Sequence, residues 1–534
     1  MVALSVSATR REMIRALLGA SVTPVVAGCR RSLDLDATFV DPSFRRGHRL
    51  RDRAPIEGPF EERSARVLVL GGGAAGLSAA WALGRAGVRD VRVLELEMEP
   101  GGTAWGEDGT SVGHPWGAHY LPAPGRAQPD LVKLLEDMGL VEAWSPDGQP
   151  IYAEGCRLAE PKERVFAEGM WHEGLVPPLD EGSAAAEALA RFRAAMLGWA
   201  RRQGRDGRRA FALPLSASSE DPELRALDEL SFAEWLTREG HEAPIVRWLA
   251  SYATRDDFGI LPEQTSAWYG LHYHAARIFD GATESAGFLT WPEGNQRIIR
   301  HLVRGIVAFG GAIDGGQLVR RVRPHPSGQG VEVFSETAQS GSRWRAERVI
   351  FALPQGQRRY LLEGFPEVDF TPETSPWLVA NLHLSRRPYS LGAELAWDNV
   401  LFEGRSLGYV HAGHQRGPWA GPTVWTWYLP LLDAEARRAL LAMSAPEAAE
   451  VVLSDLERAH PDLRRCVERV ELRRWGHAMP SPVPGTLGSR AREAARSPVA
   501  GVSFAHVDLS GMALFEEAFA HGLRAAEETR RALG

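Results

Sequence analysis

Residues 67–102 constrain the fold more than any other stretch. They read VLVLGGGAAGLSAAWALGRAGVRDVRVLELEMEPGG: an apolar run Val67–Leu70, a glycine turn, a helix from Gly76 to Gly87, and a second apolar run from Val91 to Glu95. Gly71, Gly73 and Gly76 spell G-x-G-x-x-G, with Ala75 inside the motif, directly between strand and helix. Glycine there permits a tight turn and lets the backbone approach a pyrophosphate, which the free N–H groups and positive dipole end of the helix attract. Glu95 ends the second strand, where a carboxylate can accept ribose hydroxyls. Ala80 and Gly87 are expected where helix and sheet approach closely. The stretch therefore predicts an α/β domain that holds a dinucleotide, and to this point FAD and NAD fit equally.

The continuation separates them. Beyond Glu95, after five intervening residues, stand Gly101, Gly102 and Thr103. A glycine pair there resembles the second flavin-contacting turn of the flavin-containing amine oxidase and phytoene desaturase superfamily. Two later stretches carry the same resemblance. LVRRV, GVEV and ERVIFALP are similar to the middle segment, in which a valine backbone contacts the adenine, and Val319 is the matching position. VSFAHVDLSG and FEEAFAHGLRAAEE are similar to the terminal segment, in which an acidic residue approaches the flavin ribityl chain. That residue matches Asp508, with Gly511, Met512 and Phe515 near the flavin ring. The chain is one residue longer here than the family's F-A-G-[DE], so Val507 is the alternative occupant of the acidic position.

The resemblance implies a discontinuous Rossmann-like FAD-binding domain (66–125, 296–360 and 480–534) plus an α+β substrate domain (126–295 and 361–479) with a mixed sheet and a helical part. It implies an oxidoreductase that removes two electrons from a hydrophobic or amine small molecule, by hydride transfer to flavin N5. Dioxygen or a quinone would reoxidise the flavin. A flavin-bearing ligand-binding protein and a phytoene desaturase-like desaturase or isomerase are the alternatives. One departure matters. Classical amine oxidases hold a water at flavin N5 with a lysine, whose nearest counterpart here is Asn381 in WLVANLHLSRRPY. The chain has only two lysines, Lys133 and Lys162, so no later lysine can take that place.

His119, in HPWGAHYLP, falls where the superfamily runs past the flavin. His119 and His272 are the candidate general bases. SYATRDDFG and WYGLHYHAAR add Asp256, Asp257, Tyr273 and His274, with Tyr273 a candidate substrate contact. In GPTVWTWYLP, Trp425 and Trp427 share one face of a strand and are candidates to wall a substrate channel, or simply core. His272 and His274 alternate and could share a face, but without further ligand spacing no metal site is read.

Residues 1–29 carry Arg10-Arg11, an uncharged run Ala16–Gly28 too short to span a bilayer, and Cys29. This resembles a bacterial twin-arginine export signal, and VVAGC resembles a lipoprotein box that would lipidate Cys29. Export machinery is thus an expected partner and the periplasm or its membrane the expected location. That route carries folded proteins, so FAD would be inserted before export. Residues 30–64 are polar and arginine-rich and are expected as a flexible tether. A net charge of −7 without a basic stripe argues against nucleic acid. Cys156 and Cys466, the remaining cysteines, are expected as two buried thiols.

Overall fold

The computed structural model describes residues 35–41, 43–55, 58–108, 112–278, 287–417 and 421–534. Arg10, Arg11 and Cys29 lie outside them. Val67–Leu70 end a longer strand, Phe60–Leu70, and are wholly buried. They run without polar interruption because parallel neighbours flank them and helices cover the sheet, leaving no solvent face. Those neighbours are Val91–Leu94 and Gly341–Phe351. The complete order is Ala312–Asp314, Val91–Leu94, Phe60–Leu70, Gly341–Phe351, Val331–Glu336 and Leu318–Pro324, with Val502–Phe504 also paired to Gly341–Phe351. Stretches far apart in sequence thus share one seven-stranded sheet.

Helices Ala74–Arg85 and Phe515–Leu533 pack against each other beside this sheet. Gly522 allows that contact, since a Cβ there would stand 2.4 Å from the Ala75 carbonyl oxygen. Gly87 plays another part than expected. A Cβ there would meet nothing within 4 Å and its φ is +83°, so it closes the helix in the left-handed conformation instead of admitting a close approach.

A second, eight-stranded mixed sheet runs in the order Asp36–Phe39, Val467–Pro480, Thr374–Leu384, Thr423–Pro430, Tyr409–His411, Asp398–Leu401, Glu163–Ala167 and Met170–Glu173. Helices Ala184–Arg201, Phe232–Arg238, Pro244–Phe258 and Ala267–Ala275 gather around their own core of Phe192, Phe211, Phe232, Trp235 and Trp268. The fold is α/β, a Rossmann-like sheet joined to an α+β part with a mixed sheet and a helical subregion. No helix among the described residues is long and apolar enough to cross a membrane.

The stretch expected as a flexible tether carries regular structure from Asp36 onward. Asp36–Phe39 adds a parallel edge strand to Val467–Pro480. Asp41 makes a buried two-pronged ion pair with Arg474 at 2.7 and 2.9 Å, and the Arg474 guanidinium lies over Phe39 and Phe44. Helix Phe44–Arg51 crosses to the other sheet, where Arg46 donates to the carbonyls of Gly316 and Glu336. The polar composition of this segment reflects ion pairing and carbonyl capping across both sheets. Cys156 and Cys466 are free and buried in different cores.

Candidate active site

The glycine turn builds an open cradle. Gly71 leaves the strand at φ +103°, and a Cβ on Gly76 would fall 2.0 Å from the Gly71 carbonyl oxygen, so neither position admits a side chain without displacing backbone. Gly101 (φ +150°) and Gly102 (φ +56°) return to this turn: Gly101 N–H donates to Gly72 O at 2.8 Å, and a bridge joins Gly73 to Gly101. A Cβ on Gly73 would meet only the Gly102 Cα, at 4.0 Å. The helix that starts at Ala74 has no side-chain cap, so its first N–H groups face the open side of the turn.

Glu95 accepts from Gly72 N–H at 2.6 Å and Glu97 N–H at 2.9 Å, yet keeps accessible surface; burial holds its carboxyl above the usual carboxylate range. Gln296, which sequence reasoning missed, presents a buried, unpaired Oε1 beside Gly101. Uncapped N–H groups, a glycine-lined space, a partly accessible carboxylate and an orphaned amide oxygen fit a dinucleotide.

The other expected cofactor residues lie on neighbouring elements. Gln317 N–H donates to Glu95 O at 2.7 Å, which brings the strand containing Val319 alongside Glu95. Asp508 is buried, with one oxygen accepting Gln355 N–H at 2.7 Å and the other 3.2 Å from His506 Nδ1. Its carboxylate holds the turn after Gly341–Phe351, while Val507 packs on the core around the first helix. Gly511 has a φ of +75°, close under Tyr269 Oη; Met512 is buried with the helical core, and Phe515 stacks on Phe519. Thr103 is exposed, but its carbonyl accepts Ala118 N–H at 2.8 Å and so ties the cradle to the stretch 117–120.

That stretch opens a second space. His119 donates from Nδ1 to Gly117 O at 3.1 Å, which leaves Nε2 with a free lone pair. Its ring lies 5.2 Å from Tyr428 in a stacked arrangement, and within 5.3 Å of Tyr120 and Trp397. Phe288 closes on Tyr120 at 4.7 Å. From the helical subregion come Tyr252, Asp256 and Tyr273, and from the mixed sheet Asp398, whose Oδ2 accepts from Tyr252 Oη at 3.1 Å. His119, Tyr120, Asp256, Tyr273 and Asp398 are all deeply enclosed, yet each keeps accessible surface. Side chains with that combination line an internal cavity.

The cavity is acidic at its polar end. Asp257 is neutralised by Arg277, whose Nη2 lies 2.9 Å from both oxygens. Asp256, Asp398 and Glu163 make no ion pair among the described residues, and Arg255 spends its guanidinium on the carbonyls of Gly404, Arg405 and Ser406. Burial, then the neighbouring Asp257 charge, raises Asp256 to about 7. Burial, then Glu163 and Asp256, pushes Asp398 well above the carboxylate range. Burial lowers His119 to about 4, so its imidazole is neutral near pH 7.

Tyr273 therefore joins His119 at the cavity, but His272 does not. Its Nε2 donates to Ala212 O at 3.0 Å and its ring stacks on Trp268, inside the helical core. His272 and His274 also share no face, because Ala267–Ala275 is a helix and residues two apart point in different directions. Trp425 and Trp427 are core residues as well. Trp425 stacks on Tyr409 at 4.1 Å, and Trp427 Nε1 donates to Asp455 at 2.9 Å. The alternation that pairs the tryptophans turns Tyr428 the other way, and its hydroxyl donates to Gly117 O at 3.0 Å. Asn381 is wholly buried: its Nδ2 donates to Pro115 O and its Oδ1 accepts from Thr426.

Comparison with known proteins agrees with this architecture. A family model described as flavin containing amine oxidoreductase matches residues 74–398, more than half of the chain. No curated protein matches the sequence. Among solved structures, putrescine oxidase bound to putrescine is similar over 88% of this chain and 100% of its own, at 17% identity and a TM-score of 0.63. Cyclohexylamine oxidase from Brevibacterium oxydans IH-35A is similar over 88% and 99%, at 18% identity and a TM-score of 0.62. A fatty acid isomerase from P. acnes is similar over 88% and 98%, at 17% identity and a TM-score of 0.56. At these identities the likeness establishes the shared fold.

Proposed function

Since the chain belongs to the flavin-containing amine oxidoreductases and is a FAD-dependent oxidoreductase, we propose that it oxidises a small amine with an apolar body. The observation that carries this reading is the pairing of an aromatic-walled cavity with two unpaired buried carboxylates, Asp256 and Asp398. Such carboxylates are unfavourable unless a cation or a proton joins them, and an ammonium group supplies the cation. Tyr120, Phe288, Trp397 and Tyr428 take the apolar body and keep water out. His119 Nε2 removes a proton, leaving the amine neutral and ready to be oxidised. FAD, held by Gly71–Gly76, Glu95 and the Gly101–Gly102 turn, supplies the two-electron acceptor. Dioxygen or a quinone then takes up the electrons.

A second reading rests on Asn381. With its amide nitrogen and oxygen each bonded to protein where the resemblance places a lysine, Asn381 does not reproduce the water-holding lysine of classical amine oxidases. A neutral hydrophobic substrate undergoing desaturation or isomerisation would leave Asp256 and Asp398 protonated. Anaerobic flavin bleaching with matched panels of apolar amines and neutral alkenes or fatty acids separates the readings. Rapid bleaching by amines alone is the expected result. Bleaching or isomerisation of neutral lipids alone would replace amine oxidation with the second reading. A flavin reduced by light but by no candidate substrate would leave a ligand-binding protein. The twin-arginine resemblance supports export of the loaded protein, with Cys29 as the lipidation site.

A further inference from the structure

Away from the cradle and the aromatic cavity, three metal-type ligands from distant strands converge: His114, His383 and Glu471, with donor atoms within 4.8 Å of one another. We propose that they bind one divalent transition-metal ion of the zinc class, with Glu107 as a fourth ligand. His114 is almost wholly buried, and its Nε2 has no hydrogen-bond partner. That atom faces two carboxylate oxygens, Glu471 Oε2 at 3.9 Å and Glu107 Oε2 at 4.0 Å, both too distant to bond to it. With Nδ1 turned toward the Val112 carbonyl, the Nε2 lone pair of His114 and the two carboxylate oxygens face one another across a small gap. A cation between them resolves the arrangement.

The ligands are well placed to close on such an ion. Glu107 and His114 stand directly opposite each other in the short ladder Gly106–Glu107/His114–Pro115. His383 and Glu471 lie on adjacent strands of the mixed sheet, with His383 Nε2 donating to Glu471 Oε2 at 2.6 Å. Supporting contacts orient each group: His114 Nδ1 faces Val112 O at 3.4 Å, and Trp116 Nε1 donates to Glu107 Oε1 at 3.1 Å, freeing Oε2. Arg469 stands 3.6 Å from Glu471 Oε1, the oxygen that His383 does not use. It also approaches the His383 ring at 3.4 Å, but its side chain is nearly half exposed and can swing outward. Zinc–nitrogen and zinc–oxygen bonds of about 2.0–2.2 Å in a tetrahedron place donors about 3.3–3.6 Å apart, so shifts of about 1–1.5 Å suffice. To ligate the ion, neutral His383 carries its ring proton on Nδ1 in place of Nε2, so that the Nε2 lone pair meets the metal. The ion would pin the Gly106–Glu107/His114–Pro115 ladder to the mixed sheet.

The test uses the flavin-loaded protein after dialysis against chelator. Titration with Co²⁺ is followed by its visible ligand-field bands, and Zn²⁺ binding by calorimetry and thermal unfolding. The expected result is one ion per chain with the spectrum of a four-coordinate site, and a Zn²⁺-dependent rise in Tm. His383→Ala and Glu471→Gln should each weaken binding by at least about a hundredfold. Their flavin spectrum should be unchanged, which shows that they fold. His325→Ala, in the hairpin of the other sheet, should bind as wild type. Absence of Co²⁺ bands and of any Zn²⁺ effect at micromolar concentrations would overturn the proposal, as would binding that survives both ligand substitutions.

Discussion

Replacing Asp256 by Asn should make the protein more stable and weaken the amine oxidation proposed for it. In the folded chain the Asp256 carboxyl holds its proton to about pH 7, against an ordinary value of 3.8. Folding therefore takes up a proton between those values. The stability from protonated Asp256 is complete below about pH 4 and is lost as pH rises to about 7. At 1.36 kcal/mol per tenfold, the full span is about 4 kcal/mol. The adjoining Asp257–Arg277 pair shares that energy, so a gain of about 2–4 kcal/mol is expected for D256N near pH 8. Asn keeps an acceptor toward Tyr273 Oη, which lies 3.5 Å from the carboxylate. The gain should shrink by up to about 1.4 kcal/mol for each pH unit below 7. Denaturant unfolding followed by flavin release, at about pH 8 and about pH 5.5, measures both quantities. Amine turnover should meanwhile lose about 1.5–3 kcal/mol of charge-assisted binding, roughly a 10- to 150-fold loss in kcat/KM. A D256N protein no more stable than wild type at pH 8, or a gain that does not vary with pH, would refute the account of this carboxylate.

Three further outcomes are expected. His119→Gln should lower kcat/KM for amines by about 10²–10⁴-fold and remove the acidic limb of the pH–rate profile, with FAD content unchanged. Gly76→Val drives a side chain into the Gly71 carbonyl and should weaken FAD retention by about 5- to 150-fold, read by fluorescence of released flavin. Lysine at both Arg10 and Arg11 should leave a flavin-loaded protein in the cytoplasm; a variant exported as efficiently as wild type would remove the export proposal.

How much of this was legible depended on whether the chemistry was local. The cradle was legible because its parts lie within 36 consecutive residues, and each glycine answers to one nearby backbone atom. Gln296 carried no comparable signal; it reaches Gly101 only because helix Gln296–Ala308 begins at that turn. His119 stands out by its place after the cradle and Tyr273 by a cluster of polar and aromatic residues, and both line the enclosed space. His272 as a base and the channel-wall alternative for the tryptophan pair part from the structure for a shared reason. A period can say which residues share a face but not which face meets the cavity, and for His272 the period itself was helical.

Sequence alone determined that this chain holds a dinucleotide at a strand–turn–helix, and its trailing glycine pair and distant segments pointed to FAD. These follow from backbone sterics and helix dipoles, which act over a few residues. Tertiary structure decided the remainder. It brought Asp256 from a helix and Asp398 from a strand into one cavity with His119, and it gathered His114, His383 and Glu471 from three strands. It also turned a polar lead-in into a strand and helix that bridge both sheets. Desolvation and charge pairing depend on proximity in space, and residues more than a hundred positions apart become neighbours only when the sheets assemble.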